Sequence, residues 1–403
     1  MGVTLEEIRK AATRLQGIIH QTDLIYSTTF SGLSGNRVYL KPENFQKTGS
    51  FKIRGAYNKI ATLNKEKKQY GVIACSAGNH AQGVALAASM NGIKSTIVMP
   101  KGAPIAKVTA TRNYGAEVIL HGDVYDETYD KVEELQEETG ATFIHPFNDP
   151  DVIAGQGTIA LEIINELPEV DVILVPIGGG GLISGIATAA KEINPAIRVI
   201  GVEAAGAPSM QQSLANGKLY SLKEVNSIAD GITIKTPGSL TFKICQRYLD
   251  DVATVTEEEI ANAILMLLER AKLVVEGAGA VALAALINHK LGFTGKKVVA
   301  VLSGGNIDFN LISRIIERGL AKAGRRIRFK TRLKDKPGNL QRLLSQVAAL
   351  DANVISIEHD HYRPGIPIDT VEVEVELETR HQGHAEEIYR MLMERGYEIE
   401  IVF

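Results

Sequence analysis

Four stretches of this chain combine residue types that do chemistry. The first is Ser50-Phe51-Lys52-Ile53-Arg54, which follows the turn-forming Lys47-Thr48-Gly49-Ser50 and opens an amphipathic pattern with Ile53, Tyr57 and Ile60 on one side. A lysine placed where a loop becomes a helix can point into a cleft. If desolvated there, its amine is a nucleophile for aldehydes and a usable base, because burial lowers its pKa. A solvated helix lysine is the plain alternative, and the other three stretches weigh on the choice.

The second stretch, Ser76-Ala77-Gly78-Asn79-His80, lies between an apolar run ending at Cys75 and a helical pattern from Ala81. Small residues at a helix start leave backbone N–H groups free for an anion such as a substrate carboxylate, and Asn79 adds a donor and an acceptor. A strand-to-helix turn with Ser and Asn as caps would look the same. The third stretch is Gly178-Gly179-Gly180-Gly181-Leu182, after the run Asp171 to Ile177 and before a helix near Ile183. Successive glycines let their amides converge on a phosphate beside a helix N-terminus. Gly179, Gly181 and Ser184 also approximate the GxGxxG/A spacing of a dinucleotide site, with Glu203 where a ribose-binding acid would stand, so a dinucleotide-dependent oxidoreductase is a rival reading. The fourth stretch, Ser303-Gly304-Gly305-Asn306, offers a hydroxyl to a ring nitrogen and glycines that admit a flat group; a helix N-cap region before Leu311 is the alternative.

The elements that must position these stretches alternate. Val72 to Cys75, Ser95 to Met99, Glu117 to Leu120, Val170 to Pro176, Arg198 to Val202 and Val298 to Leu302 read as strands, separated by helical stretches such as Gln82 to Met90, Ala106 to Tyr114 and Ile183 to Ile193. Apolar strands with little alternation argue for parallel sheets covered on both faces, an α/β class whose ligands sit at the carboxyl ends of the strands. Three of the four stretches follow such ends.

An amine, an anion loop, a phosphate loop and a partner for a ring nitrogen match the needs of pyridoxal phosphate. The motifs Ser50 to Ala56, Ser76 to Gly83, Gly155-Gln156-Gly157-Thr158, Gly178 to Leu182 and Ser303 to Asn306 resemble the fold-type II pyridoxal-phosphate enzymes (tryptophan synthase β-like), above all the threonine dehydratase (threonine ammonia-lyase) and serine dehydratase group. The likeness runs from about residue 4 to 320. It implies that Lys52 is the Schiff-base lysine and general base, with Phe51 against the cofactor ring and Asn79 on its 3′-oxygen. It further implies the phosphate on Gly178, Gly179, Gly180, Gly181 and Leu182, Ser303 at the pyridine nitrogen, and Ser76, Ala77, Gly78 and His80 around the substrate carboxylate. The implied reaction is β-elimination and deamination of L-threonine to 2-oxobutanoate and ammonia, and of L-serine to pyruvate. Serine racemases are similar to this chain but carry a serine acid/base where Ala77 stands, and alanine cannot carry a proton. β-Replacement enzymes differ in the Lys52 and Asn79 motifs. A catalytically silent amino-acid sensor is a further class, against which Lys52 speaks.

Relatives also imply a monovalent or divalent cation at Glu203, Ala207 and Ser209, where oxygen ligands suit such ions; a strand-end glutamate in a polar loop is the alternative. Glu276 is a second acid near the implied cofactor, with a capping role as its alternative.

After about Ala321 the pattern changes. Ile327 to Leu333, Asn353 to His361, Thr370 to Glu378 and Tyr397 to Phe403 read as strands, and Gly338 to Leu350 and Gln382 to Arg395 as helices, giving a ferredoxin-like βαββαβ order. Asp335-Lys336-Pro337-Gly338-Asn339-Leu340 resembles the start of an ACT regulatory domain, which implies an amino-acid effector such as isoleucine near Asn339 and Leu340 and pairing between subunits as a homodimer or homotetramer. The expected layout is a catalytic domain over 1–322, with a smaller subdomain at about 50–147, and an ACT domain over 327–403.

Composition sets outer limits. The chain has 403 residues, 45% hydrophobic and 23% charged, with a formal net charge of −3, which gives no reason to expect nucleic acid or an anionic membrane as partner. The basic run Gly324 to Arg328 reads as a solvated linker or strand edge, and the acidic stretch Asp123 to Glu138 as the solvated face of a helix. Cys75 and Cys245 fit no paired spacing, and His359 with His361 lacks the companions of a four-ligand metal shell. Thr4 reads as the N-cap of an amphipathic helix rather than the start of a signal peptide, so a cytoplasmic location is expected.

Overall fold

Every residue of the strands Val172–Pro176 and Val72–Cys75 is buried, as strands covered on both faces must be. Each lies inside its own sheet. The larger sheet runs Ile25–Ser27, Arg37–Pro42, Lys297–Leu302, Val172–Pro176, Arg198–Ala204, Asp251–Val255; all its neighbours are parallel except the first pair. The smaller runs Glu117–Leu120, Ser95–Met99, Val72–Cys75, Thr142–Phe143, and is wholly parallel. In the larger sheet Leu302 pairs with Pro42, and Ala300 with Leu174. The loops after Pro42, Leu302 and Pro176 therefore emerge side by side.

This computed structural model describes residues 2–361 and 364–402, and the chain divides at Asp308 into two compact units. Both parallel sheets belong to the first. Its helix Gly277–Ile287 is apolar all round and buried over nearly its whole length, the pattern of a helix inside a core. The second unit starts at Phe309, so the helix Phe309–Lys322 groups with the C-terminal sheet, whereas the expected domain border followed it. That sheet is antiparallel in the order Asn353–Asp360, Thr370–Glu378, Arg326–Lys334, Glu400–Ile401, which is the ferredoxin-like arrangement. The basic run falls on its strand Arg326–Lys334, where Arg326 and Arg328 pair with Glu376 and Arg328 also with Glu374.

The six expected strands of the first unit lie within two residues of their observed limits. Four others had no clear signal. Arg37–Pro42 reads poorly because its Lys41 is a charge buried in a strand, and Asp251–Val255, Ile25–Ser27 and Thr142–Phe143 are edge or very short strands. The helix expected from Ala81 begins at Asn79, and the last strand is only Glu400–Ile401, Phe403 lying outside the described residues.

Three helices connect the Lys52 region to the glycine loop. Lys52–Thr62 crosses Pro150–Glu166 so closely that a Cβ on Gly155 would stand 2.5 Å from the Arg54 carbonyl oxygen, and one on Gly55 would stand 2.7 Å from that of Val152. Pro150–Glu166 in turn crosses Gly181–Ile193, where a Cβ on Gly185 would stand 2.3 Å from the Ile153 carbonyl. Beside the first crossing, fully buried Arg54 pairs with Glu43 at 2.7 Å and Glu162 at 2.5 Å, and fully buried Lys41 pairs with Glu162 at 2.6 Å. Charges taken out of water in this way need each other. They tie the Lys52 helix to the Arg37–Pro42 strand end.

Candidate active site

Lys52 is the first residue of its helix. The loop before it is held to the end of the Lys297–Leu302 strand: the Phe51 amide donates to the Ser303 carbonyl at 3.1 Å, the Gly305 amide donates to Gly49, and Ser50 bridges Gly304. The Lys52 amine donates to the Pro146 carbonyl at 3.0 Å and lies 5.1 Å from the centre of the Phe51 ring. Burial pulls its pKa down to about 8, with the Glu276 carboxylate opposing the shift. A lysine so placed has a substantial neutral fraction near physiological pH. The solvated-lysine alternative is thereby set aside.

The segment Ile144 to Asn148 shapes one wall. His145 Nδ1 accepts from the amides of Phe147 at 3.2 Å and Asn148 at 2.9 Å, so this nitrogen carries no proton, and burial lowers the ring's pKa to about 4. His80 is turned into the interior, its Nε2 donating to the Ile144 carbonyl at 2.7 Å, and burial takes its pKa down to about 3. With Nε2 held there, Nδ1 is a buried ring nitrogen with no hydrogen-bond partner among the described residues. The Asn79 helix has Gly78 at its N-cap, where no side chain caps it, and within the loop the Ser76 hydroxyl accepts the Gly78 amide at 3.1 Å. The helix start is left open to an anion.

The glycine loop meets Phe147. A Cβ on Gly179 would stand 2.3 Å from the Phe147 ring and one on Gly181 would stand 2.8 Å from the Phe147 Cα; Gly180, at φ +92°, would meet Met210 and Thr241. Only glycine fits here. The Gly179 carbonyl is occupied by the Gly238 amide and the Thr241 hydroxyl. Among the described residues no acceptor takes the amides of Gly179, Gly180, Gly181 and Leu182. Four unpaired N–H groups in a buried turn at a helix N-terminus are the donor set a phosphate needs.

Across the cleft Asn79 donates to Glu276 Oε1 at 2.7 Å and accepts from Asn306 Nδ2 at 2.7 Å. Glu276 is 4% exposed, and burial first, with Asp230 second, raises its pKa to about 7. Ser303, 2% exposed, closes the strand end beside the Phe51 amide. The structure thus brings together Lys52, Phe51, Asn79, the glycine loop and Ser303. Pro146, His145 and Phe147 escaped sequence reading, since a main-chain acceptor and a ring that merely fills space leave no motif.

The amine, the glycine cradle that a Cβ would fill and the buried serine fit pyridoxal phosphate, and residues 15–304 match the family of pyridoxal-phosphate dependent enzymes. The chain belongs to that family. This pyridoxal-phosphate dependent enzyme is 54% identical to the L-threonine ammonia-lyase of Thermotoga maritima, over 99% of this chain and 100% of that one. It is 50% identical to the L-threonine dehydratase catabolic TdcB of Escherichia coli over 315 residues, covering 78% of this chain and 96% of the relative. Among solved structures, maize serine racemase superposes with a TM-score of 0.76 at 39% identity, covering 80% of this chain and 99% of the racemase. The family decides against the dinucleotide reading. Glu203 is buried and accepts the amides of Met210 and Gln211, both at 2.8 Å.

Beyond this centre the expected residues are scattered. Ala207 and Ser209 lie in and just after the turn that follows Glu203, where burial raises the carboxyl pKa to about 7. In the second unit Asn339 donates to the Lys334 carbonyl at 2.7 Å and Leu340 packs on that unit's core. The His359 and His361 rings are 4.4 Å apart, and His361 Nδ1 lies 3.2 Å from Asp335. No helix among the described residues is long and apolar enough to cross a membrane.

Proposed function

We propose that this enzyme deaminates L-threonine to 2-oxobutanoate and ammonia, and L-serine to pyruvate and ammonia. The observation that carries the reading is the 54% identity, end to end, with an L-threonine ammonia-lyase, on a chain whose Lys52 amine has its pKa lowered by burial. Pyridoxal phosphate, when bound, supplies an electron sink conjugated to the amino-acid Cα. The glycine-loop amides would hold its phosphate, Asn79 and Ser303 its ring, and the Ser76 to His80 main chain the substrate carboxylate. Neutral Lys52 takes the Cα proton; the β-hydroxyl takes up one proton and leaves as water, so no net proton is consumed; the released enamine tautomerises to the imine, and one water hydrolyses that to the 2-oxo acid and ammonia. Whenever the Lys52 amine is free, the Pro146 carbonyl gives it a fixed partner. Ala77 has no proton to exchange, which favours elimination over the racemisation named for the maize structure.

The C-terminal unit is proposed to be an ACT domain that binds an amino acid such as isoleucine near Asn339 and Leu340 and pairs between subunits of a homodimer or homotetramer. Its strand order supports this. A monovalent or divalent cation at Glu203, Ala207 and Ser209 and a cytoplasmic location complete the proposal. The decisive experiment records the visible spectrum of the purified protein, adds L-threonine and follows 2-oxo acid release in wild type and Lys52→Ala. A yellow band that shifts with threonine, with 2-oxobutanoate formed only when Lys52 is present, is expected. A yellow protein that racemises serine without releasing oxo acid would overturn the assignment.

A further inference from the structure

A chain of hydrogen bonds beside Lys52 has a direction. The Thr48 carbonyl has no proton to give, so the part of Asn306 that lies 2.8 Å from it is the N–H₂ group. The same nitrogen lies 2.7 Å from Asn79 and must meet its Oδ1. Asn79 Nδ2 then donates to Glu276 Oε1 at 2.7 Å, and a carboxylate oxygen only accepts. Flipping the Asn79 amide would set two N–H₂ groups against each other and an amide oxygen against a carboxylate. The first contact is repulsive whatever the charge on Glu276, and the second is repulsive whenever Glu276 is ionised.

From this we infer that Glu276 and Asn306 are positioning residues that lock the Asn79 amide in one of its two orientations, leaving a single N–H to offer to a ring oxygen of the cofactor. The inference rests on the cofactor reading of the site. It gives the buried Glu276 a task that its neighbours support. Glu276 comes from the N-cap of Gly277–Ile287, at the larger sheet, while Asn79 opens a helix of the smaller, so the chain of bonds spans the cleft. Gly304 leaves room for the carboxylate, since a Cβ there would stand 2.5 Å from Oε1. Lys52, Lys107 and Asp230 are the charges that act on it. None of them is a hydrogen-bonding rival for Asn79 Nδ2.

Three variants of the full-length holoenzyme separate orientation from charge and from shape. Glu276→Leu removes the acceptor, Glu276→Gln keeps both shape and a carbonyl acceptor, and Asn306→Asp turns the donor facing Asn79 into an acceptor. Dialysis against cofactor-free buffer reads retention of pyridoxal phosphate, and absorbance reads the position of the visible band. The Leu variant, which loses a charge-assisted bond, and the Asp variant, which sets a carboxylate against the Asn79 oxygen, should bind the cofactor about tenfold to a hundredfold more weakly, with a displaced band. The Gln variant should stay within about threefold of wild type. Wild-type affinity and an unmoved band in folded Glu276→Leu and Asn306→Asp would overturn the inference, as would a Gln variant as weak as the Leu one. Circular dichroism establishes folding, and the near-isosteric Asp variant keeps the test open if the Leu variant unfolds. A wild-type protein that holds no pyridoxal phosphate would instead sink the cofactor reading.

Discussion

As the proposed base, Lys52 can act only in its neutral form, and the protein around it decides at what pH that form exists. Burial lowers the amine to about 8 and Glu276 holds it from falling further. His80 and His145 stay uncharged, since burial takes their pKa values to about 3 and about 4. Turnover at saturating threonine should therefore rise with pH through about 8 and level off above it, with about a tenth of the maximum at pH 7. Glu276→Gln removes the charge that favours the ammonium form, so the rising limb should move to lower pH. The kcat–pH profile checks both. A limb that moves upward in the Gln variant would contradict this account of the lysine's electrostatics.

The three crossing helices explain why glycine recurs where no ligand is near. Gly155 faces the Arg54 carbonyl at 2.5 Å from where its Cβ would be, so alanine there must push the Lys52 helix away from Pro150–Glu166 and strain the Arg54–Glu162 pair. Helix propensity alone would make Gly155→Ala stabilising by about 1 kcal/mol. Overpacking of this kind costs about 1–3 kcal/mol. The expected outcome is net destabilisation in urea or thermal unfolding, and a more stable variant would mean the crossing has slack. The same helices mark what the sequence could and could not reveal. Lys52, Asn79 and the glycine run could be read because a strand end, a loop and a helix start lie within a few residues of one another. The Arg54–Glu43–Glu162 cluster, the Pro146 acceptor and the Phe147 contact join residues far apart in sequence, and no local pattern announces them. Lys41 misled for a physical reason: a charge buried by long-range pairing disguises its strand as surface.

The whole molecule consists of two units with separate cores, one built on the parallel sheets and one on Phe329, Val373 and their neighbours. The family match ends at residue 304. A relative 50% identical to this chain is nearly complete in 315 aligned residues, with no counterpart for about a fifth of the chain. Every residue assigned here to cofactor and substrate lies before Asp308. A chain ending at residue 322 should therefore fold, bind pyridoxal phosphate and turn over threonine within about threefold of the full-length rate, a difference of less than 1 kcal/mol in barrier. If the C-terminal unit is where isoleucine acts, the shortened enzyme should lose all response to isoleucine while the full chain keeps it, and calorimetry should show isoleucine binding only to the full chain. An isoleucine response that survives truncation would move the effector site into the first unit. Loss of threonine turnover from a folded, cofactor-loaded 1–322 chain would mean that the second unit completes the catalytic one instead of regulating it.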